Sequence, residues 1–350
     1  DKELDLSGAH LSYGDFKEAT FTGTGAIRLN GAGLAHADLS GSKVSAVGEE
    51  AQIIDFSEAN LTNANLSGSK LTADSSNYSA TVDFSEANLA HADLSGSTLT
   101  ARGSYDVLID FSGANLAHTD LSGSMLTAEN SDGGAIIDFS KANLAEADLS
   151  GSVITANGSY GDATIDFSEA NLANADLSGS VFTAKGFASD DVLIDFNGAN
   201  LAHADLSGSK LTAENSYGGA TIDFRKANLA KADLSGSNLT ADSKNGLAII
   251  NFTDAQADLA TADLSGARFI IGDEVFLWVD TTIGPPTPPP SPLPQLPPVS
   301  PPPSLPLPSP PPPPPSSPPI SPPPWSPWPP SSPPPSPSPP LSFPPVVPAD

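Results

Sequence analysis

The sequence predicts an all-β coil followed by an extended proline rod, and three observations predict it. Phe56, Phe84, Phe111, Phe139, Phe167, Phe196, Phe224 and Phe252 recur every 27 to 29 residues. Each opens four consecutive five-residue units, in which the residue two places before a central Leu, Ile or Phe, small in most units, shares the interior with it. All 37 prolines lie between Pro285 and Pro348, with none in the preceding 284 residues.

The stretch 109–128 reads IDFSG ANLAH TDLSG SMLTA, with inward positions Phe111, Leu116, Leu121 and Leu126 preceded by Ile109, Ala114, Thr119 and Ser124. Two apolar positions in five fit neither the 3.6-residue period of a helix nor the alternation of a flat strand. They suit a chain that turns a corner every five residues and stacks each circuit on the last. The units ANLAH, ADLSG and IDFSE resemble the A(D/N)LXX pattern of the pentapeptide-repeat family. That resemblance implies a right-handed quadrilateral β-helix from about Leu4 to about Ile271, and it is specific for fold rather than for function. About ten coils begin near Leu4, Ile27, Ile54, Val82, Ile109, Ile137, Ile165, Ile194, Ile222 and Ile250. At the ~4.8 Å spacing of hydrogen-bonded strands they stack into a rod roughly 45 to 50 Å long.

Between coils lie inserts such as RGSYDVL at 102–108 and NGSYGDAT at 157–164, whose Gly, Ser, Asn and Asp favour loops. They are expected to project from one corner as a comb that carries Tyr78, Tyr105, Tyr160, Phe187 and Tyr217. Such rings either form a contact surface or cover the loop beneath them.

Residues 1–271 are the expected β-helix. Its register slips by two residues at Gln256 and Ala257, and the motif dissolves into RFIIGDEVFLWVDTTIG at 268–284. This segment reads as a strand pair, with 272–284 as a C-terminal cap. The N-terminal DKELDLSGAHLSYGDF enters the repeat within about four residues and offers no segment to cover the first coil. Unpaired strand edges template further pairing, and repeat rods need polar caps to stay single. Head-to-tail assembly would answer this, with Leu4, Leu6, Phe276 and Trp278 as candidate assembly residues. The chain starts at Asp1 rather than Met, which points to a removed leader or a trimmed chain.

Residues 285–350 form the second region, and their only charged side chain is Asp350. Proline removes backbone donors and fixes φ at values suited to polyproline II, so no packed core is expected there. At ~3.1 Å per residue, the segment reaches on the order of 200 Å. Its Ser-Pro and contiguous-Pro runs resemble the tails of plant and green-algal hydroxyproline-rich cell-wall glycoproteins. That resemblance, compositional and confined to the tail, implies hydroxylated, O-glycosylated prolines. The candidates are Pro288, Pro289, Pro290, Pro301, Pro302, Pro303, Pro310, Pro311, Pro312, Pro313, Pro314, Pro315, Pro322, Pro323, Pro324, Pro333, Pro334 and Pro335. An unmodified linker or a ligand for a polyproline-binding domain is the other reading. Trp325 and Trp328 are candidate anchors in a partner's apolar groove.

The formal charge of −27 comes almost wholly from the coiled region, which excludes binding to nucleic acid by phosphate neutralisation. With no cysteine, neither disulfides nor thiolate-bound zinc contributes. No apolar run approaches the ~18 residues of a membrane span. Six N-x-S/T sequons begin at Asn60, Asn65, Asn77, Asn157, Asn238 and Asn251. Asn77 and Asn157 lie in the expected inserts and the other four on faces of the coil.

A stacked coil sets equivalent residues above one another, so chemistry must be sought in columns. One reads Asp55, Asp83, Asp110, Asp138, Asp166, Asp195, Asp223, and another Asp38, Asn65, Asp93, Asp120, Asp148, Asp176, Asp205, Asp233, Asp263. Like charges ~5 Å apart repel, so each carboxylate is expected to bond to its own turn rather than to calcium. His36, His91, His118 and His203 share a column with Asn63, Glu146, Asn174 and Lys231, which favours solvated surface histidines over a metal or catalytic pair. Thr72, Thr100, Thr127, Thr155, Thr183, Thr212 and Thr240 form a hydroxyl row whose mixed neighbours argue against ice binding. No nucleophile elbow or phosphate loop stands out, so no enzyme, cofactor or metal is expected. The sequence is read as an extracellular structural glycoprotein, a fibre or cell-wall subunit that associates with itself. The alternative is an acidic binding module, either a DNA mimic or an ice binder.

Overall fold

The computed structural model describes residues 3–187, 190–255, 259, 261–272 and 274–277. The chain divides into two units between Pro285 and Pro286, and the second lies outside the described residues.

The described chain is a right-handed all-β solenoid built on two parallel sheets. A short-strand sheet runs from Leu4–Asp5 through Ala26–Arg28, Gln52–Asp55, Ala80–Asp83, Val107–Asp110, Ala135–Asp138, Ala163–Asp166, Val192–Asp195 and Ala220–Asp223 to Ala248–Asn251. These ten rungs are separated by nine complete turns. A long-strand sheet holds Thr20–Gly23, Lys43–Gly48, Lys70–Ser75, Thr98–Gly103, Met125–Asn130, Val153–Gly158, Val181–Gly186, Lys210–Asn215, Asn238–Ser243 and Arg268–Ile271. Register is strict: Ile137 pairs with Ile109 and Ile165, and Thr127 with Thr100 and Thr155. The other two sides of each coil touch through single bridges, Asn to Asn on one and mostly Asp to Asp on the other.

The corners explain the five-residue beat. Ala59, Ala64 and Ser69 donate their amides to the carbonyls of Phe56, Leu61 and Leu66 at 2.9–3.0 Å. The residues inside these turns, Glu58, Asn63 and Gly68, have φ of 56°, 56° and 62°, the signature of a type II turn. The third corner keeps glycine at this position from Gly41 to Gly266, whereas the first two admit Glu, Lys, Asn and His.

Each corner turns two side chains inward, and the core is continuous. The rings from Phe56 to Phe252 stack with centroids 4.8–5.0 Å apart and planes within 5°. Parallel rings at that distance are offset, the favoured aromatic geometry. Phe56 through Phe224 are wholly buried.

The ends differ. Arg268–Ile271 pairs antiparallel with Glu274–Leu277 through a turn at Gly272, so a hairpin closes that edge of the long-strand sheet. Residues 256–258 of the register slip and 278–284 of the expected cap lie outside the described residues. At the other end, Leu4, Leu6, Leu11, Phe16 and Phe21 pack on the core but are only partly buried. Among the described residues, no strand precedes Leu4–Asp5 or Thr20–Gly23 in its sheet.

Candidate functional site

The open first coil is an edge of backbone as well as of core. In inner rungs the Asn60 amide donates to Ala32 of the rung below, and the Asn60 carbonyl accepts from Leu34 of that rung. The first-rung equivalent, His10, points the same groups away from the rod. Leu4 and Leu6 therefore belong to one surface with Leu11, Phe16 and Phe21, three residues that sequence reasoning passed over although the coil register contains them. Phe276 lies at the opposite end, its backbone paired with Phe269. Trp278, Trp325, Trp328 and every proline candidate from Pro288 to Pro335 lie outside the described residues.

The six sequons fall in different settings. Asn77 is exposed in a loop. Asn157 is half-buried within Val153–Gly158 and pairs with Lys185 and Glu129, so it belongs to a strand rather than to a projecting insert. The strand is longer than loop-forming residues suggest because parallel pairing on both sides outweighs their local preference. Asn60, Asn65 and Asn251 each accept, through Oδ1, both the backbone amide and the hydroxyl of the residue two places on. Asn238 lies in its strand and accepts the Thr240 hydroxyl at 3.4 Å.

Both aspartate columns bond locally. From Asp55 to Asp223, each Oδ1 accepts the amide two residues on at 2.7–3.0 Å. On the other side, Asp38, Asp93, Asp120, Asp148, Asp176, Asp205, Asp233 and Asp263 accept from the following serine at 2.8–2.9 Å. Four members of these columns depart from the ordinary carboxylate range. Burial, and secondarily the charges of Asp83 and Asp138, push the Asp110 carboxyl above its ordinary range. Burial does the same for Asp195, reinforced by Asp166 and Asp223. Asp38 and Asp263, each hydrogen-bonded by the serine two places on, lie below it.

Beside the first column runs a file that sequence reasoning missed. Ile53, Thr81, Leu108, Ile136, Thr164, Leu193, Thr221 and Ile249 occupy the outward positions of the short-strand sheet, half-buried beside the aspartates. The alternation in VLID and ATID was the available signal, masked because β-branched residues also fill the inward positions.

The histidines are turn residues: His36, His91, His118 and His203 all have φ of 58–60°. The rings of His91 and His118 stack at 4.7 Å, and His118 Nδ1 lies 3.3 Å from Glu146 Oε2. Asp93 and Asp120 instead bond to Ser95 and Ser122, so no nucleophile, base and orienting group converge there. Among the described residues, no group of His, Asp or Glu is placed to hold a metal ion. The threonine row is in register, but its flanking file mixes Lys70, Thr98, Met125, Val153, Val181 and Lys210.

The rings of the loop corner reach solvent. Tyr105, Tyr160 and Tyr217 are 59–69% exposed, and Tyr78 and Phe187 about half.

A family model described as pentapeptide repeats matches eight copies over residues 54–73, 81–101, 165–184, 194–213 and 222–240. The segments it matches carry pentapeptide repeats. Solved structures similar to this pentapeptide-repeat chain include HetL, a pentapeptide repeat protein involved in heterocyst differentiation regulation from the cyanobacterium Nostoc sp. Strain PCC 7120. It is 22% identical, with 73% of this chain and 89% of that one covered and a TM-score of 0.19. Full-length QnrB1, a plasmid-mediated fluoroquinolone resistance protein, is 16% identical over 63% of this chain and 93% of its own, with a TM-score of 0.21. A pentapeptide repeat protein from the Arabidopsis thaliana thylakoid lumen is 19% identical over 41% of this chain and 64% of its own, with a TM-score of 0.11. No curated protein matches. The reading of the chain rests on the repeat and its coil geometry, not on these likenesses.

Proposed function

We propose that this pentapeptide-repeat protein is a non-enzymatic, extracellular structural glycoprotein, the subunit of a fibre or cell-wall filament. Its rods join end to end, and its proline-rich segment engages neighbouring subunits and carries the glycans. The observation that carries this reading is the first coil, whose apolar interior and strand edges have no cover among the described residues. An open coil of this kind favours another coil of the same geometry, because each amide and carbonyl then meets its partner and the core continues across the joint. Electron microscopy of the natively isolated, full-length protein tests it: filaments are expected, and particles that stay single at high concentration overturn it.

One observation favours a second reading, an acidic binding module that mimics nucleic acid. Two aspartate columns run along the rod of a chain with a formal charge of −27. Mass spectrometry separates the two: hydroxyproline or pentose glycans on residues 285–350 support the structural subunit and exclude an intracellular mimic. Unmodified prolines, together with competition against DNA for a basic protein, support the mimic.

A further inference from the structure

Nine large apolar side chains are exposed among the described residues, and six of them stand on one corner: Tyr78, Tyr105, Tyr160, Phe187, Tyr217 and Leu247. They occupy the inserts that follow the long strands from Lys70–Ser75 to Asn238–Ser243, with the insert after Met125–Asn130 skipped, so they lie along one corner of the rod. Exposed apolar side chains gathered on one corner, broken at a single rung, are a feature that monomer surfaces ordinarily avoid and that marks an interaction site. Neighbouring rings touch only loosely. Tyr78 and Tyr105 have ring centroids 6.2 Å apart with planes tilted by 38°.

The insert between Tyr105 and Tyr160 carries Asp132, Gly133 and Gly134 in place of a ring. Beneath that gap lies an open cleft of about 440 Å³, lined by Arg102, Ser104, Glu129, Asn130, Ser131 and Ser159 among others. Arg102 bonds to Glu129 through Nε at 2.6 Å, and a guanidinium has four further N–H donors. The corner thus combines aromatic platforms with hydrogen-bond donors.

Three properties of a polyproline II strand fit this corner. It has no internal hydrogen bonds, so its carbonyls need outside donors, and aromatic-lined grooves are its usual docking sites. Its three-residue turn advances ~9.3 Å, against ~9.6 Å for two rungs of a parallel sheet, so ring contacts can repeat along several turns without losing step. A chain of −27 repels acidic ligands, whereas residues 285–350 of this protein carry one charged side chain, Asp350. We infer that the aromatic corner is a docking track for a polyproline II strand, supplied by the proline-rich segment of a second copy of this chain. The inference rests on the structural-subunit reading and adds the surface that receives the segment.

The test titrates full-length protein with a fluorescent synthetic peptide of residues 301–324 and follows anisotropy. Saturable binding is expected, and the double variant Tyr105→Ala/Tyr160→Ala should weaken it about tenfold, as loss of central aromatic contacts does. Tyr13→Ala removes an exposed ring elsewhere and should leave binding unchanged. A peptide with glycine at alternate prolines should bind far more weakly. Absence of saturable binding, or equal affinity for the Tyr105/Tyr160 variant, overturns the inference. Sedimentation of the full chain separates this failure from that of the parent reading. If Phe16→Asp dissolves assemblies while the peptide does not bind, the track falls and end-to-end joining stands. If the peptide binds to a protein that never assembles, the track stands and the subunit reading falls.

Discussion

Two sides of each coil are built on nearly the same five-residue unit, yet one carries asparagine at its bridge position and the other mostly aspartate. On the asparagine side, Asn115, Asn143, Asn171, Asn200 and Asn228 each donate Nδ2 to Oδ1 of the asparagine one rung below at 3.0–3.1 Å. An amide owns both a donor and an acceptor, so one residue type can satisfy itself without limit along a stack. A carboxylate has acceptors only, and its neighbours at rung spacing repel it. The aspartate side therefore recruits its donor from within its own turn. Serine follows two places after each Asp from Asp38 to Asp263, and its hydroxyl reinforces its amide at Asp93 and Asp120. In the amide ladder the same place is alanine, at Ala117, Ala145 and Ala173. Asn60, whose amide has no donor role in the ladder links above, is followed by Thr62, which bonds to it in the aspartate manner.

The sharpest way to break this contrast is to remove one rung from each ladder. Asn143→Ala deletes two ladder bonds and one turn bond and should cost about 2 kcal/mol. Asp148→Ala deletes one local bond and relieves repulsion from Asp120 and Asp176, so it should cost about 1 kcal/mol or less. Denaturant unfolding of the two variants checks the order, and equal losses would mean that the ladder adds nothing beyond its turns.

Two aspartates of the short-strand sheet should reveal themselves through pH. Raised values for Asp110 and Asp195 mean that the folded state holds their protons more tightly than the unfolded chain does. Their ionisation therefore destabilises the fold at neutral pH, and the penalty fades as pH falls through the folded-state values, vanishing below the ordinary 3.8. Asp38 and Asp263, held down by their serine hydrogen bonds, act in the opposite sense, losing their contribution as pH falls through their lowered values. Asp110→Asn should raise Tm at pH 7 and flatten its rise on mild acidification, readable by calorimetry.

Smaller effects sharpen the comparison at the corners. Lys141 has φ of 59° where Gly113 stands in the preceding coil and Gly198 two coils on. Relief of left-handed strain, less the extra entropy of an unfolded glycine, gives Lys141→Gly a gain of about 0.5 kcal/mol. Smallest of all should be Ser152→Ala. Its buried hydroxyl has no hydrogen-bond partner, and the equivalent inward places on the preceding two sides are Ala142 and Ala147. A shift within about 0.5 kcal/mol is expected, since a large loss would reveal a bond such as the one Ser180 makes to the Leu177 carbonyl.

Much of this architecture was legible because one physical demand recurs. Phe139 announces its coil by period alone, and the Asn/Asp bridge positions follow from the pentamer. The division of labour between Asn143 and Asp148 was legible too, but only in Ala145 and Ser150 two places on. Ile136 was not, because an outward β-branched residue next to an inward one erases the alternation that separates surface from core. Phe16 and Phe21 were hidden for another reason. Their sequence resembles that of an inner rung, and only the lack of a preceding rung among the described residues distinguishes them. The proline candidates lie outside the described residues, so their reading still rests on composition.

The amide ladder also gives the rod a heading. Every link from Asn228 down to Asn88 donates in one sense, toward lower residue numbers. The aligned amides add like the peptide units of a helix, whereas the parallel sheets contribute little net moment. Two such rods meeting nose to nose would set opposed dipoles against each other, while nose to tail they extend a single vector. Any filament made from this unit should therefore be polar, with two ends that differ in growth and in the charges they attract.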